Sequence, residues 1–326
     1  MIFNGELPLL NLFQNRTFVL ALAFVLGLVF SDAASFTGML TIPALALVFT
    51  VSTTQFSIRE FFPLGKMIRP FVLCFAFNYL LLGTLILLLA WWLMPTRDLW
   101  IGFVLVAAAP PGIAIIPFTY ILKGDINLTL LGTFGVYVFS VAFTPALIFL
   151  FTGDAVPPVK LVVTLFQLII IPLMLSQLIR GSRIAPYVDR WRGTIVNWGF
   201  FIVLFSVVGL NQEVFLREPL LLMRVSAVAL ASTFGLVFLI DFLGKRYSIP
   251  EPTKNSFILL STIKTSGFSA AVAIALFNEI TSLPAAVISG FYALHFIFLG
   301  MRADRMKKPN RGLTVNDKVN NIENPE

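Results

Sequence analysis

Apolar runs long enough to cross a bilayer recur along this chain, and they constrain its fold more than any other feature. The 326 residues are 58% hydrophobic and only 12% charged, and the mean hydropathy is +0.92. A soluble domain carries about 25% charged residues, and a transmembrane helix needs about 20 mostly apolar residues. We therefore predict an all-α polytopic membrane protein that lies in a lipid bilayer.

Glycine, proline and charged residues divide the apolar sequence into ten predicted transmembrane spans. We place the spans near residues 17–31, 38–52, 69–94, 99–122, 127–151, 158–179, 193–210, 219–243, 255–278 and 282–303. The polar segment 304–326 follows the last span, and its composition predicts a disordered tail.

The basic residues indicate how the spans are oriented. Eighteen Lys and Arg residues fall in the segments on the side of the N-terminus, and four fall in those on the other side. Cytoplasmic loops are enriched in Lys and Arg, so we predict cytoplasmic termini and a bacterial inner-membrane location. The net charge of +7 then reflects topology, and no nucleic-acid partner is expected.

The ten predicted spans divide into two halves of five, residues 1–152 and 153–303. Because each half has an odd number of spans, the second half is inverted relative to the first. Span four is interrupted by Ala109-Pro110-Pro111-Gly112, and span nine, the fourth of its half, by Lys264-Thr265-Ser266-Gly267. Proline removes an amide donor and glycine permits an open backbone. Interrupted helices at matching positions mark the binding site of inverted-repeat transporters. We therefore predict that spans four and nine are broken and cross near the midplane.

Each predicted break would expose helix N-terminal amides, which attract an anion such as a carboxylate. The carbonyls that end the first half of each broken span would attract a cation. The sequence therefore predicts a substrate-binding site at the breaks, formed by Gly112, Ile113, Ala114, Ser266 and Gly267.

Lys264 is the one charged residue within span nine. A cation at the bilayer centre costs at least about 2.5–3.5 kcal/mol, so it marks a functional site by default. The alternative is that the side chain extends to the interface, but roughly 12 Å of helix lies on its shorter side. No buried carboxylate partner is evident, so Lys264 is either neutral, held by carbonyls and hydroxyls such as Thr265, or paired with a bound anion.

Five further polar residues of note lie within predicted spans. Asn78 in span three is either an interhelical hydrogen-bonding group or an ion ligand. Thr129 and Thr133 lie one turn apart in span five, where bonding to their own helix is the alternative to ligation. His295 in span ten is either a structural residue or part of a substrate cavity. Asp241, near the end of span eight, is predicted to pair with Lys245.

Six short motifs of the chain are Ala108-Ala-Pro-Pro-Gly112, Phe118-Thr-Tyr120, Gly124-Asp125, Thr144-Pro-Ala146, Ser266-Gly267 and His295. Together they resemble the bile acid:sodium symporter family, within the wider group that contains arsenite and auxin carriers. The resemblance covers the chain up to the tail. It implies a core domain that contains the crossing of spans four and nine, a panel domain, and alternating access with an organic anion in the cleft between them.

The chain departs from this family where the family binds sodium. A Ser-Asn pair of the family is replaced here by Ile115 and Ile116, a shared Glu by Leu260, and a Gln by Lys264. The polar group of span three is retained as Asn78, and the hydroxyls of span five as Thr129 and Thr133. A hard cation needs several oxygen ligands, so the resemblance implies that sodium coupling is lost. Lys264 then replaces the sodium ions, and its protonation could couple transport to protons.

The sequence therefore predicts a sodium-independent secondary transporter of a small or amphipathic organic anion, with Lys264, Asn78, Thr129, Thr133 and Thr265 as ion-coupling residues. A sodium-coupled symporter and a non-transporting receptor of the same fold are the alternatives. No enzyme is predicted, because no paired carboxylates, His cluster or nucleophile motif is present. Neither a cofactor nor a metal site is expected, and substrate identity, transport direction and oligomeric state stay open.

Overall fold

The computed structural model describes residues 14, 16–54, 65–112, 114–153, 159, 163 and 166–307, and all regular structure in these ranges is helical. Within them, five helices are long and apolar enough to cross a membrane, or six if one bent pair counts as a single span. The chain is therefore an integral, polytopic helical membrane protein. Ile113 and the tail beyond residue 307 lie outside the described residues, and the predictions for them stay predictions.

A helix or helix pair overlaps each apolar run that the sequence indicates. The helices are α1 Arg16–Val29, α2 Asp32–Gly38, α3 Thr41–Thr53, α4 Gly65–Leu93, α5 Arg97–Ala108, α6 Ile115–Ile121, α7 Ile126–Thr152, α8 Phe166–Arg180, α9 Ala185–Leu210, α10 Gln212–Arg217, α11 Pro219–Arg246, α12 Glu251–Thr262, α13 Ser266–Leu276 and α14 Glu279–Lys307. Helix α14 thus continues beyond residue 304, where the sequence predicts the start of the tail.

Both predicted interruptions are present in the structure. Helix α5 ends at Ala108 and α6 begins at Ile115, while α12 ends at Thr262 and α13 begins at Ser266. Pro110 and Pro111 have no N–H group with which to continue the ladder of α5. The second interruption contains no proline, and only residues 263–265 separate α12 from α13.

Two groups of helices pack mainly among themselves. In one group, α9 packs against α1, α2 and α3, and α8 packs against α3. In the other, α4 packs against α7, while α14 packs against α5, α11 and α13. Helix α13 also contacts α3 and α9, and α14 contacts α9, so the interrupted segments lie close to the boundary between the two groups.

Small residues allow close helix packing, as is usual where lipid removes the hydrophobic drive between helices. At Gly132 of α7, a Cβ would lie only 2.6 Å from the Pro70 carbonyl oxygen and 2.9 Å from Cys74 Cβ. Any larger residue would separate α4 from α7. Helix α4 itself is π-helical from Ala76 to Gly83, and such insertions often occur at functional sites.

An ion-pair network joins the ends of α11, α12 and α14, and it corrects the sequence-based pairing of Asp241. Asp241 accepts two hydrogen bonds from Arg302, one of them 2.7 Å long, and lies 3.6 Å from Lys254 Nζ. Lys254 also donates to Glu251 at 2.6 Å. The predicted partner Lys245 is four residues away on the same helix, but tertiary packing brings two cations from other helices closer.

Candidate functional site

The two interrupted segments pair with each other through their backbones. Pro111 and Lys264 form an isolated antiparallel bridge, in which the Gly112 amide donates to the Ile263 oxygen at 3.1 Å and the Thr265 amide to the Pro110 oxygen at 3.1 Å. A Cβ at Gly112 would lie 3.1 Å from the Lys264 oxygen and would collide with Ile263. Glycine is therefore required for the crossing.

The side chain of Lys264 ends among the carbonyl oxygens that terminate α5. Nζ donates to the Ala107 oxygen at 2.6 Å and to the Ala109 oxygen at 2.9 Å. It also lies 4.0 Å from the centroid of the Tyr79 ring. In a continuous helix the Ala107 carbonyl would accept from the N–H of residue 111, but that residue is proline. Lys264, only 2% exposed, takes the place of that missing donor.

Hydroxyl groups satisfy the other carbonyls of the crossing. The Pro111 oxygen accepts from Tyr137 at 2.7 Å and from Thr265 at 2.8 Å, and the two hydroxyls lie 3.4 Å apart. The Tyr292 hydroxyl accepts from the Lys264 amide at 2.8 Å. Because each of these partners comes from a different helix or segment, the crossing is held from several sides.

The predicted ion-coupling residues do not all meet at Lys264. Asn78 Nδ2 donates to the Leu260 oxygen at 3.0 Å and the Ile263 oxygen at 3.2 Å, so it supports the broken α12. Thr129 bonds to the Asp125 and Ile126 oxygens of its own helix region, which is the simpler of its two predicted readings. Within the described residues, Asn78 Oδ1 and Thr133 Oγ1 are buried without a hydrogen-bond partner.

Apolar side chains occupy the positions where the resemblance implies sodium ligands. Ile115, Ile116 and Leu260 are all buried. None of these side chains has an oxygen atom to offer a cation, and a hard cation needs several. Lys264 already binds two of the backbone carbonyl oxygens at the crossing.

A cavity of about 270 Å³ lies beside the crossing. Its walls come from α1, α3, α9, both interrupted segments and α14. One long face of it is formed by α9, from Arg192 to Val207. Arg192 is half-buried and Gly193 is exposed, so the cavity reaches the surface at this end of α9.

Four of the predicted substrate-binding residues line this cavity, namely Gly112, Ala114, Ser266 and Gly267. However, the Gly112 amide already donates to Ile263 and the Ser266 amide to the Lys264 oxygen at 3.0 Å. The prediction that these two amides are available to an anion is therefore wrong. The Gly112 amide is satisfied by the other break, which could not be read from either segment alone, and the Ser266 amide is satisfied by a carbonyl of its own break.

His295 is not among the residues that line the cavity. Its Nε2 lies 3.1 Å from Thr262 Oγ1, and its ring meets Phe234 edge-on with centroids 5.4 Å apart. The side chain is fully buried. These contacts correspond to the structural reading of His295 rather than to a substrate contact.

Arg192 is the cavity residue that sequence reasoning missed. In the sequence it belongs to the basic residues that indicate topology, and no binding role is predicted for it. The structure places it on the cavity wall, with its side chain 24% exposed and paired with Asp189. The period of α9 could have indicated it, because Arg192, Val196, Phe200 and Val203 recur on one helical face.

Comparison with known proteins indicates a family of transporters. Residues 42–217 match the sodium bile acid symporter family. Over 212 residues the chain is 26% identical to a protein of Bacillus subtilis (strain 168) described as an uncharacterized sodium-dependent transporter, YocS; the match covers 63% of this chain and 64% of that protein. Both similarities are to transporters and neither is to an enzyme. Since the family match extends over more than half of the chain, the protein belongs to the sodium bile acid symporter family.

Proposed function

We propose that the protein is a secondary active transporter that moves a small or amphipathic organic anion independently of sodium, with the Lys264 ammonium in place of a coupling cation. The observation that carries this proposal is the position of Nζ, at 2.6 and 2.9 Å from two carbonyl oxygens at the end of α5. Carbonyls at a helix C-terminus favour a cation. Lys264 is a cation that the chain itself supplies.

The surroundings of Nζ suit the protonated form. An ammonium has three donors and no acceptor, and Nζ faces three electron-rich partners: two carbonyl oxygens and the face of the Tyr79 ring. A neutral amine would bring a lone pair to partners that donate nothing. Deprotonation therefore requires the contacts of the crossing to change, which is how proton release could be coupled to a conformational step.

The proposal also includes the transmembrane architecture of the chain. Ten spans form two inverted halves, 1–152 and 153–303, in a bacterial inner membrane with both termini in the cytoplasm. The group containing α1, α2, α3, α8 and α9 would be the panel, and the group around the crossing would be the core. Alternating access would move one group against the other, because the cavity lies between α9 and the crossing.

A sodium-coupled symporter is the second candidate. Two buried oxygens near the crossing, Asn78 Oδ1 and Thr133 Oγ1, have no hydrogen-bond partner within the described ranges, and such atoms suit a bound cation. The description of the Bacillus relative as sodium-dependent favours the same reading. Against it, two oxygens are few for a hard cation, and three buried apolar side chains replace the ligands that the resemblance implies.

Flux into proteoliposomes distinguishes the two candidates. Uptake of radiolabelled organic anions is measured with a sodium gradient at equal pH, and with a pH gradient in potassium alone. We expect accumulation with the pH gradient only, and no change in melting temperature when sodium replaces potassium. A bound ion at a hundred times its Kd would stabilise the fold by about 2.7 kcal/mol.

Variants of Lys264 test its assigned role. Lys264→Gln should abolish uphill accumulation while retaining exchange, and Lys264→Arg should not restore accumulation, because guanidinium does not release its proton. Lys245→Gln, at an exposed position, is the control for loss of one positive charge. Wild-type accumulation by Lys264→Gln, or accumulation driven by sodium alone, would refute the proposal.

A further inference from the structure

We infer that Arg192 binds the anionic group of the substrate, and that the substrate is a small monoanion with an apolar body that lies along α9. This inference rests on the proposed transport of an organic anion. It adds a specificity-determining residue at the end of the cavity away from the crossing.

Two of the amides predicted to attract an anion, and the Lys264 ammonium, are already occupied. The Gly112 and Ser266 amides are bonded within the crossing. The three donors of Lys264 face two carbonyl oxygens and an aromatic ring. Arg192 and Lys264 are the charged residues among those that line the cavity. Arg192 is thus the cation that the cavity offers to a ligand.

The local contacts hold Arg192 in place and leave donors unused. Nη2 donates to Thr54 Oγ1 at 3.2 Å and pairs with Asp189. In the part of the chain that the structure describes, Nε has no hydrogen-bond partner. A guanidinium presents five donors in a planar fork that matches a carboxylate. Asp189 lies at a largely exposed position, with its side chain 57% accessible, so a substrate carboxylate can compete with it.

A second polar group on the same wall points to a ligand. Ser52 lines the cavity and is only 1% exposed, yet its Oγ has no hydrogen-bond partner among the described residues. A buried hydroxyl without a partner is costly. A ligand oxygen held by Arg192 would give Ser52 an acceptor.

The rest of α9 indicates what kind of apolar body the substrate carries beside its anionic group. Beyond Arg192 the cavity face of α9 carries Val196, Phe200, Val203 and Leu204. Phe200 is eight residues from Arg192, about 12 Å along the helix, and it packs against Gly267. A volume of about 270 Å³ lies just below the usual range for drug-sized ligands, roughly 300–1,000 Å³. A compact monocarboxylate with an apolar or aromatic body fits these limits.

The cavity at the other end of α9 is lined by acidic residues. A second, wider cavity of about 760 Å³ lies at Leu210 and is lined by Asp98 and Glu279, with no Lys or Arg among its described lining residues. Leu210 is 18 residues from Arg192, or about 27 Å along the helix. An anion is therefore attracted at the Arg192 end and repelled at the other, which makes its binding one-sided.

The test measures binding to the detergent-purified full chain by isothermal titration. The probes are acetate, butyrate, benzoate and phenylacetate, each beside its uncharged amide. The variants are Arg192→Gln, Arg192→Lys, Asp189→Asn and, as the matched control, Arg190→Gln, which removes an exposed charge from the same helix.

We expect carboxylates but not amides to bind, with tighter binding for benzoate and phenylacetate than for acetate. Arg192→Gln should weaken carboxylate binding at least tenfold, since one charge-assisted bond corresponds to about that factor. Arg192→Lys should retain part of the affinity and Arg190→Gln all of it. Asp189→Asn should tighten binding, because it removes the competing carboxylate, and this variant serves if Arg192→Gln does not fold.

Two results would overturn the inference in distinguishable ways. Equal carboxylate binding by wild type, Arg192→Gln and Asp189→Asn would show that the anion binds elsewhere, and the proposed transport function would stand. Failure of every carboxylate to bind the wild-type protein would refute the inference together with the proposed substrate class.

Discussion

Replacement of Lys264 by alanine tests whether the lysine ammonium stabilises the crossing or is only tolerated there. The substitution removes four heavy atoms and the charge from a site that is 2% exposed. It leaves the Ala107 and Ala109 oxygens without the donor that lies 2.6 and 2.9 Å from them. The fold around the crossing then contains two buried carbonyls and an apolar void.

The expected loss of stability follows from these contacts. Each buried carbonyl left without a donor costs about 1–3 kcal/mol. The lost contact with the Tyr79 ring, worth about 2 kcal/mol in a desolvated site, is offset by the desolvation cost of the ammonium, which is several kcal/mol and disappears with it. We expect Lys264→Ala to lower the free energy of unfolding by about 2–6 kcal/mol in total. At roughly 2 °C per kcal/mol, the melting temperature should fall by about 4–12 °C.

Chemical rescue makes this prediction specific. The atoms removed correspond to propylammonium, so propylammonium chloride should raise the melting temperature of Lys264→Ala and leave the wild type unchanged. Sodium and potassium chloride at equal concentration should not, because two carbonyl oxygens are too few for a hard cation. Lys264→Met, which fills the space without a charge, should be destabilised and not rescued. A Lys264→Ala protein that melts within 1 °C of wild type, or that sodium rescues, would refute the reasoning.

Two further substitutions test the crossing and the ion-pair network. Gly112→Ala places a Cβ 3.1 Å from the Lys264 oxygen, so we expect loss of transport and a melting temperature lower by several degrees; normal flux would show that the crossing can adjust. Asp241→Asn leaves Lys254 and Arg302 without their shared carboxylate, and we expect about 2 kcal/mol of destabilisation in denaturant unfolding that high salt reduces. An unchanged free energy of unfolding would mean that water solvates both cations once the carboxylate is removed.

The positions of the breaks could be predicted because their causes are local. Pro110 and Pro111 cannot continue the hydrogen-bond ladder of α5, and a lysine within an apolar span is costly enough to indicate a special environment. The same reasoning predicted that carbonyls at the breaks would attract a cation, and it left open whether Lys264 is neutral, held by carbonyls and hydroxyls, or paired with an anion. The structure gives the acceptors as the Ala107 and Ala109 oxygens.

The remaining features depend on contacts between distant segments. The sequence of one break does not show that the Gly112 amide is occupied, because its acceptor is Ile263 in the other break, whereas the Ser266 amide is bonded to Lys264 within its own break. The Asp241 partners lie on α12 and α14, beyond any helical spacing. The π-helical segment that contains Asn78 has no simple sequence signal, since its residues are those of an ordinary apolar helix.

The pairing of the breaks also explains why Lys264 and Arg192 carry separate tasks. Were the helix ends at the crossing open, their amides could hold an anion and their carbonyls a cation at one place. The Gly112 and Thr265 amides join the segments, and Lys264 binds the carbonyls of α5. In the proposed mechanism, an anion therefore uses a cation elsewhere on the cavity wall. The structure offers Arg192 there, on the neighbouring group of helices. A relative movement of the two groups would change the distance between the two cations, and an anion bound at Arg192 would then stabilise the arrangement that brings Lys264 nearer. In the proposed mechanism, this geometry would couple substrate binding to the state of Lys264 without any direct contact between them.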